Sequence, residues 1–307
     1  MIDIKLLEQL CLCNGISGDE GNVRNLIINE IKDCADDIKT DNLGNLIVFK
    51  KGKKSAKSKL MVSAHMDEVG LMVTDITSDG YLKFDEVGGI DRRVLPGKRV
   101  CVGRNGLNGV IGVKPIHLTN GDEKTAVPKM NDMYIDIGAE SREDALKYVN
   151  YGDSINFEGD FKINGKTVVT KALDDRFGCY VLINLIKSEP EYDMYFTFVV
   201  QEEVGLRGAR PAAFTVNPDF ALVIESTTAA DVAEVDASHQ VCNLSKGATV
   251  TVMDRATVYD KEMISAAFEL AEKNNIAVQY KRAVAGGNDS GANHQSRAGV
   301  RTLAVSL

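Results

Sequence analysis

Four short apolar runs in this chain each give way to acidic or histidine residues. VSAHMD ends at His65 and Asp67, VVTKALDD at Asp174 and Asp175, FVVQEE at Glu202 and Glu203, and ALVIE at Glu225. A single acid behind an apolar run is an ordinary turn residue. Four such clusters, one with paired Asp and one with paired Glu, ask for more, because carboxylates brought close together repel and cannot all ionise without a compensating cation. A histidine among carboxylates suits Zn²⁺, Co²⁺ or Mn²⁺ rather than Ca²⁺. His65 and Asp67 stand two apart, on the same side of an extended segment, so Asp67 is placed to orient the His65 ring. Glu202 and Glu203 are adjacent and leave a strand where the backbone turns, so one can bind metal while the other acts as general base. On residues alone, scattered surface acids remain the competing reading.

The clusters meet only if the runs before them are strands of one sheet, since ligands of open α/β sheets bind beyond the carboxyl ends of the strands. The wider pattern fits such a sheet. LMVSA (60–64) is a short buried strand, MYFTFVVQ and FALVI are two more, and a helix is expected over roughly 176–188. A strand at 248–253, a helix at about 260–274, a strand near 277–281, a turn at Gly286-Gly287 and the strand TLAVSL (302–307) follow. Strands alternating with helices predict an α/β fold, mostly parallel, with helices on both faces. Toward the N-terminus, Ser17-Gly-Asp-Glu20 reads as a capping box opening a helix that carries Val23, Leu26, Ile27, Ile31 and Cys34. LIVFK (46–50) is a strand, and the basic KKGKKSAKSK, which has no aromatics, is expected as a solvated hairpin loop rather than a nucleic-acid patch. Residues 71–165 hold 13 of the 27 glycines among short β-like runs, with one short helix opening at Ser141. This predicts a β-rich insertion over 71–164 within a discontinuous catalytic domain of 1–70 plus 165–307. TLAVSL, apolar with no polar exit, is expected as an edge strand or as the end of a chain that has lost its tail.

The chain has 307 residues and a net charge of −8, with an isoelectric point near 5.2. That balance argues against non-specific nucleic-acid binding, which depends on clustered Lys and Arg. No apolar run approaches the ~18–20 residues of a membrane span. MIDIKLLEQLCLC lacks the basic start and long apolar stretch of a secretion signal, so a cytoplasmic location is expected. The six scattered cysteines then read as reduced thiols.

SAHMDEVG (63–70), KALDDRFG (171–178), QEEVGLRGA (201–209), ALVIESTTAAD (221–231) and GGNDSGANHQSRAG (286–299), with LCLCNGISGDEGNVRNLI and DNLGNLIV before them, resemble the tetrahedral-type metalloaminopeptidases. That family includes proteins named glutamyl aminopeptidase, deblocking aminopeptidase and, historically, cellulase M endoglucanase. The resemblance runs from about residue 5 to 307. It implies a metallopeptidase (phosphorylase/hydrolase-like) α/β sandwich with a small inserted β-barrel-like domain that drives oligomerisation. It also implies a dodecameric homo-oligomer, peptide substrates trimmed from the N-terminus, and two divalent ions per subunit, Zn or Co. His65 and Glu225 would bind the first ion, Glu203 the second, and Asp174 both; many relatives have Asp where this chain has Glu225. Glu202 would be the general acid/base and Asp67 would buttress His65.

The family also places a histidine ligand just after the last strand, and this sequence reaches Leu307 before it. None of the other histidines fills that place by motif. His294 reads as exposed or capping, His239 as structural or substrate-side, and His117 as structural or near a neighbouring subunit's site. The second metal site is therefore expected to be incomplete. A truncated or decayed family member with weak or no catalysis, a non-catalytic binding or assembly protein, a metal-dependent deacylase and a glucanase stay open. Against the glucanase, glycoside hydrolysis needs only two carboxylates, and the chain has no Trp on which to stack a sugar.

Overall fold

The computed structural model describes residues 3–121 and 125–307. The chain divides into two compact units. One takes the residues up to Cys13, Glu20–Asp67 and Ala172–Leu307; the other takes Asn14–Asp19 and Glu68–Lys171.

The first unit opens with helices α1 (Ile4–Leu12) and α2 (Gly21–Ile31) and strands β1 (Asp37–Thr40), β2 (Leu46–Lys50) and β3 (Leu60–His65). The second unit carries β4 (Gly70–Ile76), β5 (Leu82–Val87), β6 (Arg99–Val102), β7 (Leu107–Val113), β8 (Met133–Asp136), α3 (Arg142–Ala145) and β9 (Ser154–Phe157). It closes with the hairpin β10 (Lys162–Asn164) and β11 (Thr167–Val169). The chain then returns to the first unit with α4 (Leu173–Lys187), β12 (Met194–Val199), α5 (Ala209–Val216) and β13 (Phe220–Glu225). Finally come β14 (Ala248–Val250), α6 (Lys261–Lys273), β15 (Val278–Tyr280), α7 (Ser290–Asn293) and β16 (Arg301–Ser306).

Eight of these strands form the sheet of the first unit, in the order β1-β2-β12-β3-β13-β16-β14-β15. Its centre is parallel: β12, β3, β13 and β16 run the same way, so their carboxyl ends share one edge. Helix α4 lies on β3 and β13 and packs against α1 and α2; α5 and α7 pack on each other and on the central strands. Met61 and Ala221 of the sheet meet Ala213 and Val216 of α5 in one dry cluster. Among the described residues no helix is long and apolar enough to cross a membrane.

In the second unit β4-β5-β8-β7-β6-β9 close into an antiparallel barrel. Alternate residues such as Leu71, Val73, Leu82, Phe84, Val100, Val102 and Ile111 fill it. A bulge between Val73 and Asp75 bends β4 where the barrel closes.

Four local expectations differ from what the chain does. The run before Asp174 is no strand of the main sheet: Thr167–Val169 forms β11, paired antiparallel with β10. Ser17 is not the N-cap of α2: the helix begins at Gly21 with Glu20 as its N-cap residue, and the buried Glu20 carboxylate accepts the Gln201 N–H at 3.1 Å. The basic 50–59 segment is not a hairpin loop, since β12 lies between β2 and β3 and the segment is a crossover connection. TLAVSL forms β16, which is no edge strand but sits between β13 and β14.

Candidate metal centre and active site

His65 is the last residue of β3, with a side chain 1% exposed. Its Nδ1 faces the Asp67 carbonyl oxygen at 3.1 Å, with the Asp67 carboxylate at 3.5 Å. With Nδ1 engaged backwards, Nε2 is the nitrogen left to face a metal, the arrangement a metal-binding histidine uses. What Nε2 meets is negative: Asp174 Oδ1 at 3.1 Å and Glu225 Oε1 at 3.4 Å. Asp174 stands just inside α4, after the left-handed Ala172, where the backbone has not yet become helical and the Asp174–Asp175 peptide is cis. Glu225 ends β13, two strands' width from β12, and Glu202 and Glu203 follow the end of β12.

Two sets of ligand-type atoms result, each within 4.8 Å of one another: His65, Asp174 and Glu225, and His65, Glu202 and Glu203. Four-coordinate Zn²⁺ with bonds of about 2.0–2.1 Å has ligand–ligand edges of roughly 3.3–3.4 Å. The His65–Asp174 and His65–Glu225 separations sit close to that edge length. Among the described residues, Asp174 and Glu203 share no such triplet.

The electrostatics report a missing cation. Burial pushes Glu203 and Glu225 up to about 7, against the pull of His65. Burial, with the charges of Asp289, Glu225 and Glu203 added, pushes Glu202 up to about 10. Burial also opposes a charge on His65, yet Glu225, Asp174 and Asp67 outweigh it and lift the imidazole well above its ordinary value. Asp174 feels some burial too, but its bond to His65 holds it below the usual carboxylate range. Glu225 Oε2 is buried with no hydrogen-bond partner. A site whose carboxylates and imidazole retain protons this strongly is short of positive charge, and the donor set of one imidazole nitrogen and carboxylate oxygens fits a divalent transition ion.

Other residues hold the geometry. The Asp67 carboxylate accepts the backbone N–H of Glu202 at 3.0 Å and of Glu203 at 3.1 Å, so the residue behind His65 also fixes the Glu pair. Asp175 is fully buried and accepts the N–H of His65 at 3.3 Å and of Gly178 at 3.1 Å. The fully buried Arg176 donates to the carbonyls of Met66, Leu10 and Cys13 at 2.6–2.7 Å, tying the segment after β3 to the end of α1. Asn45 accepts the Val200 N–H and donates to Gly208 O, bracing the Glu202–Glu203 loop from both ends.

A family model described as M42 glutamyl aminopeptidase matches residues 44–307. The chain belongs to the M42 glutamyl aminopeptidase family. It is 33% identical to the lysyl aminopeptidase of Pyrococcus furiosus over all of this chain and 89% of that one. The fold superposes on the TET aminopeptidase of Thaumarchaeota archaeon SCGC AB-539-E09 with a TM-score of 0.94 at 33% identity, covering 99% of this chain and 87% of that one. It superposes on the Pyrococcus horikoshii TET1 peptidase, described as assembling into a tetrahedron or a large octahedral shell, with a TM-score of 0.86 at 40% identity, covering 99% and 90%.

This M42 chain is thus a peptidase with an α/β fold and a closed six-strand barrel. The remaining histidines join neither ligand set among the described residues. His294 Nδ1 bonds the Ser290 carbonyl at 2.8 Å, one turn back, while His117 and His239 are exposed. Asn45, Arg176 and the scaffolding use of Asp175 were not read from the sequence. Their signal was present only as members of the motifs DNLGN and KALDDRFG.

Proposed function

We propose that this chain removes N-terminal residues from peptides. One divalent ion would be held by His65, Asp174 and Glu225, and a second by Glu203 with Asp174 shared. The observation that carries the reading is the convergence of His65 Nε2, Asp174 Oδ1 and Glu225 Oε1 beside Glu202, a carboxyl with an unusually high proton affinity. When bound, such ions lower the pKa of water toward about 7, polarise the peptide carbonyl and anchor the substrate's free α-amine. Glu202 then takes the proton of the attacking water on its carboxylate and delivers it to the departing amine nitrogen. Asp67 positions this group through the backbone of residues 202 and 203 and holds the His65 ring with Nε2 facing forward. Zn²⁺ or Co²⁺ suits the donors.

We also propose that the first unit is the catalytic domain, and that the barrel unit mediates a closed homo-oligomer that admits peptides rather than folded proteins. The TET relative's assembly supports this, as do Ile116 and Leu118 of the barrel unit, which are 71% and 57% exposed.

The test compares wild type with Glu202→Gln and Asp174→Asn on peptides with free and acetylated N-termini, with bound metal measured by mass spectrometry. Glu202→Gln should retain metal and lose about 10²–10⁴-fold in kcat. Asp174→Asn should lose metal. Equal cleavage of the acetylated peptide, or more than half of wild-type activity in Glu202→Gln, would refute the reading.

A further inference from the structure

Around α7 lies a second polar cluster that the mechanism does not use. Asp289, Asn293 and Ser296 follow one another at i, i+4 and i+7, linked by Asn293 N–H to Asp289 O at 2.9 Å and Ser296 N–H to Asn293 O at 3.0 Å. Asp289 and Asn293 stand one helical turn apart at the two ends of α7, and Ser296 follows by a tighter turn. Asp289 and Asn293 are 0% exposed and Ser296 4%. Both carboxylate oxygens of Asp289, both amide atoms of Asn293 and the Ser296 hydroxyl are buried without a hydrogen-bond partner.

Such a concentration is rare, since most buried polar side-chain atoms in folded proteins are paired. A buried carboxylate without a partner is costly. Neutral donors stand one turn away on Asn293 and Ser296 but do not reach it, and no Lys or Arg pairs with Asp289 among the described residues. The carboxylate of Asp289, the amide oxygen of Asn293 and the hydroxyl of Ser296 are hard oxygen donors, and none of the three offers a nitrogen or sulfur ligand. A lone water would satisfy hydrogen bonds and leave the charge uncompensated. With one formal charge on the lining, the matching guest is singly charged.

We infer that Asp289, Asn293 and Ser296 form an internal site for a monovalent alkali cation, Na⁺ or K⁺, separate from the divalent centre. The site would hold α7 against the sheet and offset the Asp289 charge.

The test is independent of peptidase activity. Thermal melts of the wild-type chain, at constant divalent metal and ionic strength, are run in KCl, NaCl and choline chloride. An alkali salt should raise Tm over choline by about 2–4 °C, and Asp289→Asn and Asn293→Ala should each abolish the difference. Crystals grown in TlCl-free buffer and soaked in thallium acetate should show an anomalous peak at Asp289. Equal melts in all three salts, or a thallium map with no peak there, would overturn the proposal and leave a protonated or merely hydrated Asp289. The salt comparison on wild type stands even if a variant fails to fold.

Discussion

Gly178 sets two physical rules against each other. It lies inside α4, and replacing a helical glycine by alanine ordinarily stabilises by about 0.5–1 kcal/mol. Here a Cβ at 178 would lie 2.3 Å from Asp175 Oδ2, 2.5 Å from Oδ1 and 2.7 Å from Cγ. Contacts that short require movement, and the Asp175 carboxylate is not free to swing: it is fully buried and holds the N–H groups of His65 and Gly178. Overpacking costs about 1–3 kcal/mol, and stranding a buried hydrogen-bonded acid adds about 1–3 kcal/mol. Against a propensity gain of at most about 1 kcal/mol, Gly178→Ala should destabilise by roughly 2–4 kcal/mol. Because Asp175 anchors the backbone of His65, metal affinity should fall as well. Urea unfolding at unchanged m-value, read beside metal titration, measures both. A Gly178→Ala chain as stable as wild type and binding metal normally would show that Asp175 is not the fixed point described here.

Three further outcomes can be checked. Glu203 and Glu225 are raised to about 7 in the metal-free chain, so that chain gains stability from their protons, fully below the ordinary carboxylate pKa and lost as pH rises through 7. A divalent ion displaces those protons, so the rise in Tm on adding Co²⁺ or Zn²⁺ should be larger at pH 8 than at pH 6, and an equal rise would contradict the charge accounting. Asp260 caps α6 through the Met263 N–H and bonds Arg301, which holds its carboxyl down at about 2. Its contribution is therefore present above pH 4 and lost as pH falls toward 2, and Asp260→Asn should remove that segment of the acid limb, a small effect of about 1–2 °C at this partly solvated site, readable by melts between pH 2 and 5. Ile116→Asp with Leu118→Asp, at exposed barrel-unit positions, should shift the assembly to smaller species in sedimentation while the melting of the chain itself changes little.

Much of the centre could be read from the sequence because buried parallel strands appear as plain apolar runs, and the acids at their ends advertise the shared edge. His65, Glu202, Glu203 and Glu225 were visible on that ground; Asp174 was not placed by it, because the run before it is the antiparallel hairpin strand β11 and Asp174 opens α4. Strand order was not: nothing local says that β12 pairs between β2 and β3, so the basic crossover resembled a hairpin loop. Glu20 followed a capping-box pattern, yet its carboxylate is engaged by the Gln201 N–H, 181 residues away. Arg176 carries no mark in the sequence to distinguish a buried bracket from a surface charge. In each case the deciding partner lies far along the chain, beyond any periodicity or local motif.

Hydrogen-bond accounting separates the acids of this centre in a way that residue type cannot. The Asp67 and Asp175 carboxyl groups each accept two backbone N–H groups and so hold β3 and the Glu202–Glu203 turn in place. Among the described residues Asp174 meets His65 and Glu225, and Glu225 accepts the Ser226 N–H on Oε1 while its Oε2 has no partner. Acids satisfied by backbone donors serve as scaffold, while the incomplete acids are the ones that the proposed cation would complete. Exchanging one of each class should therefore give opposite signatures. Asp67→Asn leaves the ligand set intact but presents an amide nitrogen to one of two backbone N–H groups, so it should cost stability with and without metal. Glu225→Gln relieves charge repulsion among buried acids, so it should stabilise the metal-free chain while weakening metal binding. Melts with and without Co²⁺ distinguish the two, and a metal-free Glu225→Gln chain less stable than wild type would place Glu225 with the scaffold.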